Sequence, residues 1–236
     1  MSTIDFIRAR FSAKGAFGLQ LTIGLLVMML GFGIFSEIAE DLQTQSQIAR
    51  DHFVTAWFHT HATPGCTAAA RFMTASGSVA FLTAASVLAS AFFAFRKSWD
   101  RLLVFCSAVL GGSLLNIVLK HFYHRQRPVL ENPLVTLSSY GFPSGHTMGS
   151  TIFYGVLVLI VWSTNWPRRA KVAATCFAFA LVLTIGFTRI YLGAHFLTDV
   201  LAAFAAGAVW LALCWSAMES SRKYRHARET RLKLES

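Results

Sequence analysis

Residues 102–119 read LLVFCSAVLGGSLLNIVL, eighteen consecutive positions without a charged side chain, set between Arg101 and Lys120. A run of that length and hydropathy is what an α-helix needs to cross the hydrocarbon core of a bilayer. Five further segments of comparable length and apolarity flank it, roughly Phe17 to Phe35, Ser78 to Phe95, Thr147 to Trp162, Ala170 to Thr188 and Phe196 to Met218. A backbone polar group left unpaired in lipid costs several kcal/mol, and strand-like alternation is weak, so the spans are expected to be helices and not a barrel. The expectation is an all-α polytopic membrane protein, a bundle of six transmembrane helices with both termini on one side.

Composition agrees. Of 236 residues, 55% are hydrophobic and 14% charged, and the mean hydropathy of +0.52 is too high for an ordinary soluble domain. The formal net charge of +10 would suit a nucleic-acid binder, but the basic residues sit in short clusters between apolar runs, so nucleic acid is excluded as a partner. Cys66, Cys106, Cys176 and Cys214 lack metal-ligand spacing and read as small apolar residues. The first run follows a basic segment as a signal peptide would, yet it is long and no small-x-small cleavage site follows, so it reads as a retained anchor.

Fifteen of the 21 Lys and Arg lie on the side of the termini, in residues 8–14, 96–101, 168–171 and 222–233. The positive-inside rule then places both termini in the cytoplasm. Only Arg50, Arg71, Lys120, Arg125, Arg127 and Arg189 lie opposite. Residues 2–14 are read as a short basic amphipathic helix on the inner leaflet, or as a solvated start. The 37–75 stretch is the longest loop; Asp41 to Ala56 has helical periodicity and Pro64-Gly65 reads as a breaker, so the stretch is a connector or an outer-surface helix bordering a lipid entrance. One domain is expected over residues 1–236, with a core at about 75–217, an N-terminal segment 1–16 and a basic tail 219–236.

Four of the outward cations, with two histidines, fall in three blocks: Lys120 to Pro128, with Arg125 and Arg127; Pro143-Ser144-Gly145-His146; and Thr188-Arg189 followed by His195 and Asp199. Each block lies at an outer helix end, so the three can meet at one depth. Three cations and two imidazoles imply an anion, and phosphate fits Arg geometry best. Ser144 and Gly145 precede a helix, whose first amides and dipole favour an anion. His195 and Asp199, four residues apart, would share one helix face, the carboxylate holding one imidazole nitrogen protonated and leaving the other as nucleophile. His146 is left to act as general acid. For Arg125 a supporting phosphate contact and a plain interfacial role are equally open. His195, Asp199 and His146 could alternatively ligate a metal, although the surrounding cations would repel one. His59, His61, His121 and His124 are given no chemistry, and Gly111, Gly112, Gly141 and Gly193 are assigned to packing or turns.

The pattern Lys-x6-Arg-Pro, Pro-Ser-Gly-His, and Ser-Arg-x5-His-x3-Asp stands here as Lys120…Arg127-Pro128, Pro143-Ser144-Gly145-His146, and Thr188-Arg189…His195…Asp199, and it resembles the signature of the type 2 phosphatidic acid phosphatase superfamily. The resemblance covers about residues 75 to 217. It implies that Lys120, Arg127 and Arg189 bind phosphate with Ser144 and Gly145. It also implies that His195 forms a phosphohistidine, that Asp199 orients it, that His146 protonates the leaving group, and that neither metal nor cofactor is needed. Thr188 departs from the pattern's serine but keeps a hydroxyl. The substrate implied is a lipid phosphate monoester or pyrophosphate in the bilayer, met at the periplasmic or exterior face of the cell membrane. Phosphatidylglycerol phosphate, undecaprenyl pyrophosphate and phosphatidic acid fit equally, and oligomeric state is not legible. Two alternatives stand beside it: vanadium haloperoxidases, which share the residue pattern with vanadate in the phosphate position but resemble soluble helical proteins, and non-catalytic phospholipid-binding or transport proteins, which would use the cations for recognition alone and would not need His195 paired with Asp199.

Overall fold

Long apolar runs punctuated by capping residues dictate the elements seen in the computed structural model, which describes residues 19–131, 133–135 and 139–235. The segment 2–14 lies outside the described residues. Eight helices follow one another among the described residues: α1 (Leu19–Asp41), α2 (Gln45–Thr60), α3 (Pro64–Ala75), α4 (Val79–Phe95), α5 (Trp99–Tyr123), α6 (Gly145–Trp162), α7 (Arg168–Tyr191) and α8 (Leu197–Glu235). No strand occurs among the described residues. Among the described residues six stretches are long and apolar enough to cross a membrane, as expected, but their ends run further: the first extends to Asp41, the third covers Trp99–Tyr123, and the second runs from Pro64 to Phe95 through α3 and α4.

The 37–75 stretch is no plain connector. It is largely helical, and Pro64-Gly65 opens a helix where a break was expected. The physical reason is local: Thr63 caps α3, its Oγ1 accepting the Cys66 amide at 3.3 Å, with Pro64 in the first turn, a place where a missing N–H and a fixed φ do no harm. Ser78 restarts the chain as α4 in the same way, accepting the Phe81 amide at 3.2 Å.

α8 is the central element; α1, α5, α6 and α7 all pack on it, α6 also lies against α5 and α7, and α3 leans on α7. Small residues make the approach possible: Ala203 and Ala206 are buried on α8 against Met148, Ile152 and Phe153 of α6 and Phe105 and Ala108 of α5, close backbone packing of the kind that joins helices in lipid. The outward faces carry Phe72, Leu88, Phe92, Leu103 and Phe122 in the open, which in water would be a liability and in a bilayer is a matched surface. The helix ends that the three sequence blocks mark are thereby gathered at one end of the bundle, around α8's first turn.

Candidate active site

The turn between α7 and α8 is set by its glycine. Gly193 adopts φ +64°, its amide donates to the Ile190 carbonyl (2.9 Å), and the Ala194 amide donates to the Arg189 carbonyl (3.0 Å). This is the bond pattern of a Schellman motif, which ends a helix with a left-handed residue. The next residue, His195, is held by its own amide on the Arg189 carbonyl at 3.3 Å. His195 therefore sits in the turn, two residues ahead of Leu197, and not on the face of a sixth helix as its spacing to Asp199 suggested. What joins the two is the helix start: Asp199 lies in the first turn of α8 and its Oδ2 accepts the Phe196 amide at 2.9 Å. That reach back to the helix entrance also brings Oδ2 to 3.4 Å from His195 Nδ1, a close pair without the alignment of a hydrogen bond.

On the other side of the ring, Arg127 Nη1 donates to His195 Nε2 at 2.9 Å. A guanidinium has no acceptor, so Nε2 carries a lone pair and the ring proton resides on Nδ1, toward Asp199. His195 is 1% exposed and Asp199 0%. Burial holds the His195 imidazolium down at a pKa of about 4; Asp199 pulls upward and the Arg127 and Lys120 cations push further down. At neutral pH the ring is neutral, with a free electron pair facing a cation.

The phosphate-binding candidates surround this nitrogen. Arg127 is braced by the Ser139 carbonyl (2.6 Å) and the Ala194 carbonyl (2.7 Å), and shares the Tyr140 carbonyl with Lys120, whose Nζ donates to it at 2.5 Å. The start of α6 is pinned to α8 because the Ser144 amide donates to the Asp199 carbonyl at 3.0 Å. The following amides of Gly145, His146 and Thr147 head the helix with no intrahelical carbonyl to bond. Gly145 lies beside Lys120: a Cβ there would come within 3.7 Å of Lys120 Cε and 3.3 Å of Asn116 Oδ1. Arg189 is 3% exposed, donates from Nη1 to Thr74 Oγ1 on α3 at 3.1 Å, and leaves a buried Nε without a partner, a donor set suited to an oxyanion. His146 lies within electrostatic reach of Arg189, His195, Arg127 and Lys120. Thr188 stays out of the site; its hydroxyl donates to the Ile185 carbonyl of its own helix at 2.6 Å.

Arg125 corrects both readings left open for it. It is neither an interfacial cation nor turned to the phosphate donors, because its two amino groups engage Asp199 and Asp51. Asp51, on α2, and Thr198 are the functional candidates that sequence reasoning passed over.

Residues 101–223 match the family model of the PAP2 superfamily. The chain belongs to the PAP2 superfamily. Among its relatives, phosphatidylglycerophosphatase B of Bacillus subtilis (strain 168) is 36% identical over 141 residues, 59% of this chain and 68% of the relative. Lipid phosphate phosphatase delta of Arabidopsis thaliana is 36% identical over 76 residues, 31% of this chain and 18% of the relative. The crystal structure of a transmembrane PAP2-type phosphatidylglycerolphosphate phosphatase from Bacillus subtilis superposes with a TM-score of 0.72 at 31% identity, covering 79% of this chain and 93% of that one. Aquifex aeolicus LpxE superposes at 0.53 with 25% identity, covering 68% and 91%. This PAP2 chain shares its fold with those two solved structures, and its three motif blocks all fall within the segment matched by the family model.

Proposed function

We propose that this PAP2-superfamily membrane lipid phosphatase removes the terminal phosphate of a lipid phosphomonoester through a phosphohistidine on His195, with phosphatidylglycerol phosphate the first substrate to test because the Bacillus subtilis relative and the Bacillus subtilis crystal structure both carry it in their names. The observation that carries the reading is the His195 ring itself, neutral, with Nδ1 toward Asp199 and the Nε2 lone pair held beside a phosphate-binding cation.

In the proposed reaction the substrate phosphate takes Arg127, Lys120 and Arg189 as counter-charges and the first amides of α6 as donors. Arg127 Nη1 then passes from Nε2 to a phosphate oxygen. The Nε2 pair forms a bond to phosphorus as the bond from phosphorus to the lipid oxygen breaks, and His146, entering the step as the imidazolium beside the bound phosphate dianion, gives that oxygen its proton. Asp199 stabilises the positive charge that develops on the ring. His146, now basic, takes a proton from water, whose oxygen attacks phosphorus and returns the electron pair to Nε2, releasing inorganic phosphate. We place this site at the exterior or periplasmic face of the cell membrane and both termini in the cytoplasm, on the lysine and arginine distribution.

Phosphate release from a panel of lipid monophosphates and pyrophosphates, with EDTA present, tests the class and the substrate together. His195→Ala is expected to lower turnover by at least about 10³-fold, and rapid acid-free quenching of the wild-type enzyme should trap acid-labile phosphate on His195. Retained turnover in His195→Ala would overturn the nucleophile, and activity abolished by EDTA and restored by a divalent cation would replace the scheme with a metal-assisted one.

A further inference from the structure

Arg125 joins two acids drawn from distant parts of the chain. Its Nη2 donates to Asp51 Oδ2 of α2 at 2.7 Å, and its Nη1 donates to Asp199 Oδ1 at 2.5 Å and to Thr198 Oγ1 at 2.7 Å. Thr198 closes the ring: its hydroxyl donates to Asp51 Oδ2 at 2.5 Å and its amide to Asp51 Oδ1 at 3.3 Å. The Phe196 ring lies under the guanidinium, 4.7 Å away. Asp51 is 1% exposed and Thr198 5%, so these charges have exchanged water for one another, and removing one partner strands the rest. Asp51 also lies outside the stretch matched by the family.

We propose that Asp51 and Arg125 are positioning residues for the phosphatase reaction, acting on His195 through Asp199; the inference rests on His195 as the nucleophile. An unrestrained guanidinium closes on a carboxylate with both arms. Here one arm is tied to Asp51, so Arg125 grips only Oδ1 of Asp199 and leaves Oδ2 to the Phe196 amide and to His195 Nδ1. Without Asp51 the fork can turn and take both oxygens. Asp199 would then stay charged but lose its hold on the ring tautomer, while Lys120, Arg127 and Arg189 would still receive phosphate.

Binding and chemistry should accordingly separate. Asp51→Asn and Arg125→Lys, which keeps the charge but not the fork, are expected to lower kcat about 10- to 100-fold, the usual loss when the outer partner of a reacting group is removed. KM for a phosphatidylglycerol phosphate micelle substrate and the inhibition constant of orthovanadate are expected to hold within about threefold. Stabilisation of each variant by orthovanadate in a thermal unfolding assay in detergent reports that the phosphate site is folded. Where Asp51→Asn shows none, the near-isosteric Thr198→Val, which removes the bridging hydroxyl, decides on the same split. Unchanged kcat overturns the proposal, and so does a parallel weakening of vanadate inhibition, which would make Arg125 a phosphate ligand. A His195→Ala control separates the two readings: if it stays active, the nucleophile assignment has failed, and if it is dead while Asp51→Asn turns over normally, only the positioning role has.

Discussion

His195 is a histidine whose environment has been arranged to keep a proton off one nitrogen. The buried site disfavours an imidazolium, two cations add to that, and the single nearby carboxylate offsets it only in part, leaving the pKa at about 4 in place of 6.5. Between those values a free histidine is largely charged while His195 stays neutral, its Nε2 pair unprotonated. Nitrogen-detected NMR of histidine-labelled protein in detergent, assigned by difference with His195→Gln, should show this ring neutral at pH 5.5; a midpoint near 6.5 would contradict the burial argument. The motif residues were legible because each carries its meaning in type and spacing. Asp51 was not, since its partners stand 74 and 147 residues away and nothing in its neighbourhood of residues 45–60 marks it. Arg125 was visible as an outward cation on the wrong side of the charge balance, but its partners decide its role, and those appear only once α2 packs on α8.

At the level of elements, spans of uniform apolarity were readable from hydropathy alone, whereas the 37–75 stretch was not. Its first helix mixes polar and apolar residues without a clear apolar face and its second has only 12 residues, and Pro64-Gly65 has opposite meanings at the start and in the middle of a helix, a choice made here by the Thr63 cap. His195 shows the complementary failure. Spacing of four was right about proximity to Asp199 and wrong about the secondary structure, because a turn residue and an N-terminal helical carboxylate can meet through the helix entrance. The Schellman turn that places it suggests a test. Gly193→Ala forces a side chain into the left-handed region, at about 1–2 kcal/mol, and its Cβ would press on Leu130. Unfolding in detergent should show a loss of that order, accompanied by reduced kcat as His195 shifts; a variant with wild-type stability and rate would show that the turn is not what fixes the ring.

For the molecule as a whole, the asymmetry of lysine and arginine predicts which end faces the cytoplasm. In a variant freed of its four cysteines, Glu131→Cys in the loop beside the site should react with a membrane-impermeant maleimide on intact cells or spheroplasts. Lys97→Cys at the opposite end should react only after permeabilisation, and the reverse pattern would invert the topology. The ring of Asp51, Arg125, Thr198 and Asp199 also bears on how such a protein can be taken apart. A chimera that grafted residues 101–223 onto the opening helices of a relative would inherit a guanidinium and a hydroxyl shaped for a carboxylate that the donor need not supply. On the positioning role proposed for Asp51, the natural seam for exchanging parts between PAP2 chains lies upstream of α2, and swaps made at the edge of the recognisable family segment are expected to carry over every motif residue yet leave the His195 ring without its hold.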